Sequence, residues 1–177
     1  MTSRRHVLNL SILCAAALAA PYAQAQTYPS KPIRIVVPFG PGGATDVVAR
    51  TVADKLSARL GQPVIVDNKP GASTMIGADA VAKAAPDGYT LMVSGSSTYT
   101  VVPALKERMP YDPQKDLALI ALLVKAPLVL VSGPSAPVKS LAELVALGKS
   151  KPGELGYATF GTGSAPHLAG EMLAHEA

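Results

Sequence analysis

Apolar residues in this chain fall into short runs separated by polar, glycine-bearing stretches, and the period changes from run to run. Positions 33–39 read IRIVVPF, a nearly continuous β-rich run that stops at glycines, as a strand covered on both faces would. Beyond those glycines Val48, Val52, Leu56 and Leu60 recur at spacing four, which predicts one face of a helix over 45–60, closed by Gly61. A second strand is expected at 63–67 (PVIVD) and a second helix at 74–84. Pro86-Asp87-Gly88 then turns the chain into a third strand at 89–94 (YTLMVS). Strand, helix, strand, helix, strand is the repeating unit of a doubly wound α/β sheet.

From Tyr111 the texture changes. The polar passage YDPQKD precedes two apolar runs, 117–124 and 127–131, and Ser140 with Glu143 forms an S-x-x-E box that opens a helix through Lys149. Lys151-Pro152-Gly153 stops that helix, and 155–160 (LGYATF) is expected to be a further strand. Gly161-Thr162-Gly163-Ser164 follows, with Pro166 placed to sit in the first turn of a last helix.

Two predicted strands thus end in a glycine loop that feeds a helix: Phe39, Gly40, Gly42 and Gly43 before Thr45 and Asp46, and Thr162, Gly163 and Ser164 before His167. Parallel α/β sheets place ligands at the carboxyl ends of their strands, where helix N-termini offer unpaired N–H groups and about half a positive charge. A pair of such ends across a cleft would hold an anion with backbone alone. The third strand ends in Ser94, Ser96, Ser97 and Thr98, where another ligand-facing loop is expected. Each feature also has a local reading. Gly42 and Gly43 serve equally for a tight turn, Asp46 for charging or capping a helix start, Ser164 for an N-cap, and His167 for a solvated surface.

The N-terminus reads as a secretory signal peptide over 1–25. It has a basic start (Arg4, Arg5, His6), an apolar core too short for a permanent span, and Ala23-Gln24-Ala25 as a cleavage signal. Arg4-Arg5 also fits a twin-arginine signal, but paired arginines are common in ordinary signals, so the general secretory route is preferred. The sole cysteine, Cys14, lies in this segment behind Leu13, where a lipoprotein signal has a small residue; neither a lipid anchor nor thiol chemistry is expected. Cleavage leaves 152 residues, and the net charge falls from +4 to +2, since two arginines and no acid depart. That balance, with 5% aromatics and no tryptophan, excludes a nucleic-acid partner. No stable membrane anchor is expected after cleavage, and the mature protein is expected to be soluble and outside the cytoplasm.

A nucleotide cofactor has to be weighed. Gly40 and Gly42 after a strand, with Asp67 ending the next, imitate the start of a dinucleotide fingerprint, but Thr45 occupies the third glycine position. Gly161-Thr162-Gly163-Ser164-Ala165 is not a nucleophile elbow, and the two later histidines, His167 and His175, share one predicted helix with that serine. No catalytic residue, metal cluster or cofactor is assigned. An exported α/β enzyme using the glycine loops for a nucleotide is kept as the alternative.

The segments YPSKPIRIVVPFGPGGATDVVAR, VDNKPGAS, APDGYTLMV, YDPQKDLALI and GTGSAPHLAGE, in this order behind a signal peptide, together resemble the Bug family, the extracytoplasmic solute-binding proteins of tripartite tricarboxylate transporters. The resemblance implies a two-lobed periplasmic-binding-protein-like fold of type II with doubly wound sheets. It also implies a monomer that closes on a small carboxylate and hands it to membrane permease subunits. It places 39–46 and 94–98 in the first lobe, residues 26–115, and Thr162, Gly163, Ser164 and His167 in a second lobe that begins at 116. Two departures stand out. Val102 precedes Pro103 where the family often has asparagine, and family members run well beyond position 177, so the second lobe and the return segment of the first are expected to be incomplete. The chain is therefore expected to be a truncated product with uncovered apolar faces, marginally folded and binding ligand weakly or not at all.

Overall fold

The computed structural model describes residues 27–159 and 161–176; the proposed signal peptide lies outside them. Three parallel strands, β1 (Ile33–Val37), β2 (Val64–Asn68) and β3 (Thr90–Met92), form one sheet in the order β2-β1-β3. The connections are α1 (Ala44–Leu60) between β1 and β2, and α2 (Met75–Ala82), entered through a 3₁₀ turn at Ala72–Thr74, between β2 and β3. A π-helical turn, Ser97–Val101, runs into the short α3 (Val102–Leu105); α4 (Leu141–Ser150) and α5 (Ala165–Glu176) follow.

The central position of β1 follows from its sequence. Successive side chains point to opposite faces, and Ile33, Ile35, Val36 and Val37 are all buried, so both faces are covered. On one face Ile35 and Val37 pack with Ala49 and Ala53 of α1, joined by Val64, Val66 and Leu91 from the flanking strands, by Val93 just after β3, and by Phe39. On the other, Gly77 of α2 comes so close to Pro38 that a Cβ there would stand 2.7 Å from the proline Cβ.

The helix face of α1 differs from the spacing-four stripe. Its buried line is Asp46, Ala49 and Ala53, while Val48, Val52, Leu56 and Leu60 lie half-buried on the flank. Small alanines let the helix axis approach the sheet, so the bulkier valines rotate away and face Leu123 and Val124 across an apolar groove. Gly61 closes the helix in the left-handed region at φ +67°, donating its N–H to the Ser57 carbonyl at 3.0 Å. At α4 the predicted box is present with one displaced arm. Ser140 Oγ accepts from the Glu143 amide at 3.2 Å, whereas the Glu143 carboxylate reaches back to the Lys139 amide at 2.8 Å instead of that of Ser140.

The strand expected at 155–160 does not form: 155–159 is irregular, and Phe160 lies outside the described residues. A strand needs a neighbour to complete its ladder, and the sheet of the described residues ends at β2 and β3. The apolar runs at 117–124 and 127–131 are likewise unpaired. Ile120 and Val131 are each 80% exposed, and α4 and α5 bury no residue fully.

Candidate functional site

The loop after β1 is organised by a carboxylate. Asp46 is 3% exposed, and its Oδ2 accepts from the Gly42 amide and from Arg50 Nε, both at 2.9 Å. Its Oδ1 accepts from Asn68 Nδ2 at 2.9 Å, and the same amide reaches the Phe39 carbonyl at 3.2 Å. Arg50 Nη2 in turn donates to Asn68 Oδ1 at 3.0 Å. The Arg50 guanidinium, then the Gly42 amide and Asn68, hold the Asp46 carboxyl well below the usual carboxylate range, so it is ionised. Both oxygens are occupied by the protein: Asp46 shapes the loop, the local role its place in the helix start allows.

Glycine at 42 has a conformational reason, φ +83°. Around Gly40 and Gly42, however, added Cβ atoms would meet nothing within 4 Å, and Gly43 would meet only the Gly40 carbonyl at 3.9 Å. The backbone there is not bare in order to pack against other protein. Residues 40–44 are exposed, and the amides of Ala44 and Thr45, in the first turn of α1, donate to no described residue. These are the orphan donors a helix start presents.

The loops after β2 and β3 meet around Thr98, which is fully buried. Its hydroxyl donates to Thr74 Oγ1 at 2.8 Å and shares a short contact with Ser94 Oγ. Its carbonyl accepts from the Tyr111 hydroxyl at 3.0 Å, whose burial pushes that phenol up and keeps it a donor. Ser96 is exposed beside this cluster, with its carbonyl accepting from Thr100 Oγ1. Ala72, Ser73 and Thr74 all carry positive φ (46°, 55° and 82°), strain that persists only where the surroundings over-determine it.

The second glycine loop is brought to the Thr98 cluster. Ala165 N–H donates to Ser97 Oγ at 3.1 Å, and Ser73 Oγ donates to the Thr162 carbonyl. Gly163, at φ +84°, lies against Ser73, Val102 and Leu105. The two helix starts are therefore unlike, against the expectation of a matched pair. At α5 Ser164 N–H bonds the Gly161 carbonyl, Ala165 bonds Ser97, Pro166 has no N–H, and His167 N–H bonds Ser164 Oγ at 3.4 Å. Ser164 is the N-cap and is 3% exposed. The His167 imidazole lies along its own helix, 3.8 Å from Glu171 and near the Tyr157 ring. Of the predicted residues, Phe39, Gly42 and Asp46 form one network and Ser94 and Thr98 another, to which Ser73 and Ser97 tie the loop of Thr162, Gly163 and Ser164. Gly40, Gly43 and Ser96 stand open beside them, and Thr45 is half-buried.

The profile of the Tripartite tricarboxylate transporter family receptor matches residues 48–177. The chain belongs to this family. Among relatives of this receptor, Protein BugT of Bordetella pertussis is 45% identical over 174 residues, covering 98% of this chain and 53% of BugT. The solved periplasmic binding protein BugD superposes with a TM-score of 0.78 at 36% identity, over 84% of this chain and 50% of BugD. An R. palustris protein solved with adipate superposes with a TM-score of 0.79 at 35% identity, over 82% of this chain and 48% of that one. The receptor chain here spans about half the length of the curated relatives it matches. The two solved neighbours share its α/β architecture, and BugD is a periplasmic binding protein.

The cofactor alternative gains no support. Asp67, where a ribose-binding carboxylate would stand, is engaged with Arg34 at 3.8 Å and Lys69 at 3.5 Å. Among the described residues no group of His, Cys, Asp and Glu has the arrangement of a metal site, and no helix is long and apolar enough to cross a membrane.

Asn68, Arg50, Ser73 and Thr74 were not predicted. Asn68 ends a predicted parallel strand at its carboxyl end, a position that could have singled it out. Nothing in Ala72-Ser73-Thr74 announces three left-handed residues.

Proposed function

We propose that this receptor captures a small carboxylate outside the cytoplasm, between a first lobe (26–115) and a second that begins at 116, and delivers it to permease subunits of a tripartite tricarboxylate transporter. In this reading residues 1–25 are a cleaved signal peptide, the mature protein is a periplasmic monomer, and no catalysis takes place. The observation that carries the reading is the open glycine loop. Gly40, Gly42 and Gly43 have space where side chains would be, beside amides of Ala44 and Thr45 that donate to no described residue at a helix N-terminus. Such an end binds an anion with two N–H donors and a favourable dipole. Asp46 and Asn68 hold the loop, and Thr45 and Ser96 supply hydroxyls. Ser94 and Thr98 set the neighbouring loop, and Thr162, Gly163, Ser164 and His167 form the facing wall. Adipate in the R. palustris neighbour supports a dicarboxylate as ligand class.

A thermal-shift panel of mono-, di- and tricarboxylates, amino acids and nicotinamide nucleotides tests this. A ligand present at a hundred times its Kd stabilises the folded state by about 2.7 kcal/mol, or about 5–10 °C for a chain of this size. The reading expects a carboxylate to give such a shift and the nucleotides to give none. A nucleotide shift with silent carboxylates overturns it.

A further inference from the structure

Segments distant in sequence converge on residues 161–165. Ser73 reaches Thr162 across 89 positions, and Ser97 reaches Ala165 across 68. Gly163 faces that unit: a Cβ on it would be in ordinary contact, 3.8 Å from Ser73 Oγ and 3.9 Å from Val102 Cγ2 and Leu105 Cδ1. Ser97 and Ser164 are both buried.

The first α/β unit aims these hydroxyls. Ser73 stands in the middle of the three left-handed residues. Its neighbour Thr74 is anchored by the Thr98 hydroxyl at 2.8 Å and donates its own N–H to the Gly71 carbonyl at 3.0 Å. Thr98 is fixed by Tyr111. Strained backbone kept by a buried hydroxyl chain places Ser73 Oγ on Thr162. Ser97 takes the Ala165 N–H, the amide that the N-terminus of α5 would otherwise offer outward.

We propose that Ser73 and Ser97 form a latch that fastens the 161–165 loop to the first α/β unit before any ligand arrives, so that a ligand reaches the Ala165 amide only by displacing the Ser97 hydroxyl. Ser73 and Ser97 are positioning residues here, and the latch is independent of ligand class. One helix start, at α1, is open to an anion from the outset, and the other, at α5, is held by a side chain that mimics one.

Amide hydrogen exchange on the ligand-free chain tests it. The Ala165 amide should exchange more slowly than in an open chain, and Ser97→Ala should accelerate it by about tenfold, as expected for loss of one buried hydrogen bond. Ser97→Thr, which keeps the hydroxyl, should restore protection. Ser73→Ala should accelerate the Ser164 amide, which the Gly161 carbonyl holds within the loop. The amides of Ile35 and Val36 report the core and should not change in any variant. Open-chain exchange at Ala165 beside a protected Ile35 overturns the latch. So does an unchanged Ala165 rate in Ser97→Ala, or equal acceleration in Ser97→Thr.

Discussion

Replacing Gly77 by alanine sets two effects of known sign against each other. Gly77 lies inside α2, where alanine is favoured over glycine by about 0.8–1.0 kcal/mol in an unconstrained helix. Here the new Cβ would stand 2.7 Å from Pro38 Cβ and 3.0 Å from both Pro38 Cα and the Lys69 carbonyl oxygen. Ordinary carbon contacts lie at about 3.5–4.0 Å, so the overlap approaches 1 Å at the Pro38 Cβ and is about half that at the Pro38 Cα and the main-chain oxygen. Neither can rotate away. Overpacking of this kind costs about 1–3 kcal/mol, and three rigid contacts place it at the upper end, which leaves a net loss of about 2 kcal/mol. For a chain of this length that lowers Tm by about 4–8 °C. The control is Gly95→Ala, where nothing lies within 4 Å and φ is not left-handed; it should melt at or slightly above the parent temperature. Differential scanning calorimetry on the three proteins decides. A Gly77→Ala variant as stable as the parent would refute the close approach of α2 to β1, and with it the support beneath the loop that begins at Phe39.

Three further outcomes follow from the same geometry. Because Asp46 is held below its ordinary pKa, its contribution is present above the unfolded carboxylate value of about 4 and is lost as pH falls through and below it. Asp46→Asn should therefore lose less Tm than the parent between about pH 6 and pH 3, and parallel melting curves would contradict the network. Ile120→Lys and Val129→Lys, at sites 80% and 76% exposed, should change stability by no more than about 0.5 kcal/mol in urea unfolding while reducing binding of a hydrophobic dye; a large loss would show that the run is packed. Asn68→Ala should speed exchange of the Gly42 amide, since it frees one oxygen of the carboxylate that this amide holds; unchanged exchange would show that Asn68 does not set the loop.

The first α/β unit was legible because its signals are local. IRIVVPF, the glycines, the four-residue spacing and PVIVD each fall where β1, the loop, α1 and β2 form, with boundaries shifted by a residue or two. The wrong helix face has a physical origin. Periodicity ranks residues by hydrophobicity, whereas the sheet selected Ala49 and Ala53 for close approach and drew in Asp46, a charged residue, because three donors await it. The strand at 155–160 was misread because β-forming composition does not supply a partner. In the candidate site the glycine loop announced itself, but Asn68 and Ser73 act through contacts spanning 22 and 89 positions, a distance over which one sequence carries no pattern. The unequal helix starts were invisible for the same reason. Both loops read as G-x-G before a helix, and only the fold shows Ser97 already on one of them.

Carboxylate binding by the amides that begin α1 can be followed by titrating adipate into the isotopically labelled chain and recording backbone amide resonances. Saturable shifts are expected at Gly43, Ala44 and Thr45, with smaller ones at Gly42 and Ser96 and none at the α4 amides. Adipate and the rest of the carboxylate panel leaving Gly43, Ala44 and Thr45 unmoved, in a chain whose core amides are dispersed and protected, would contradict it.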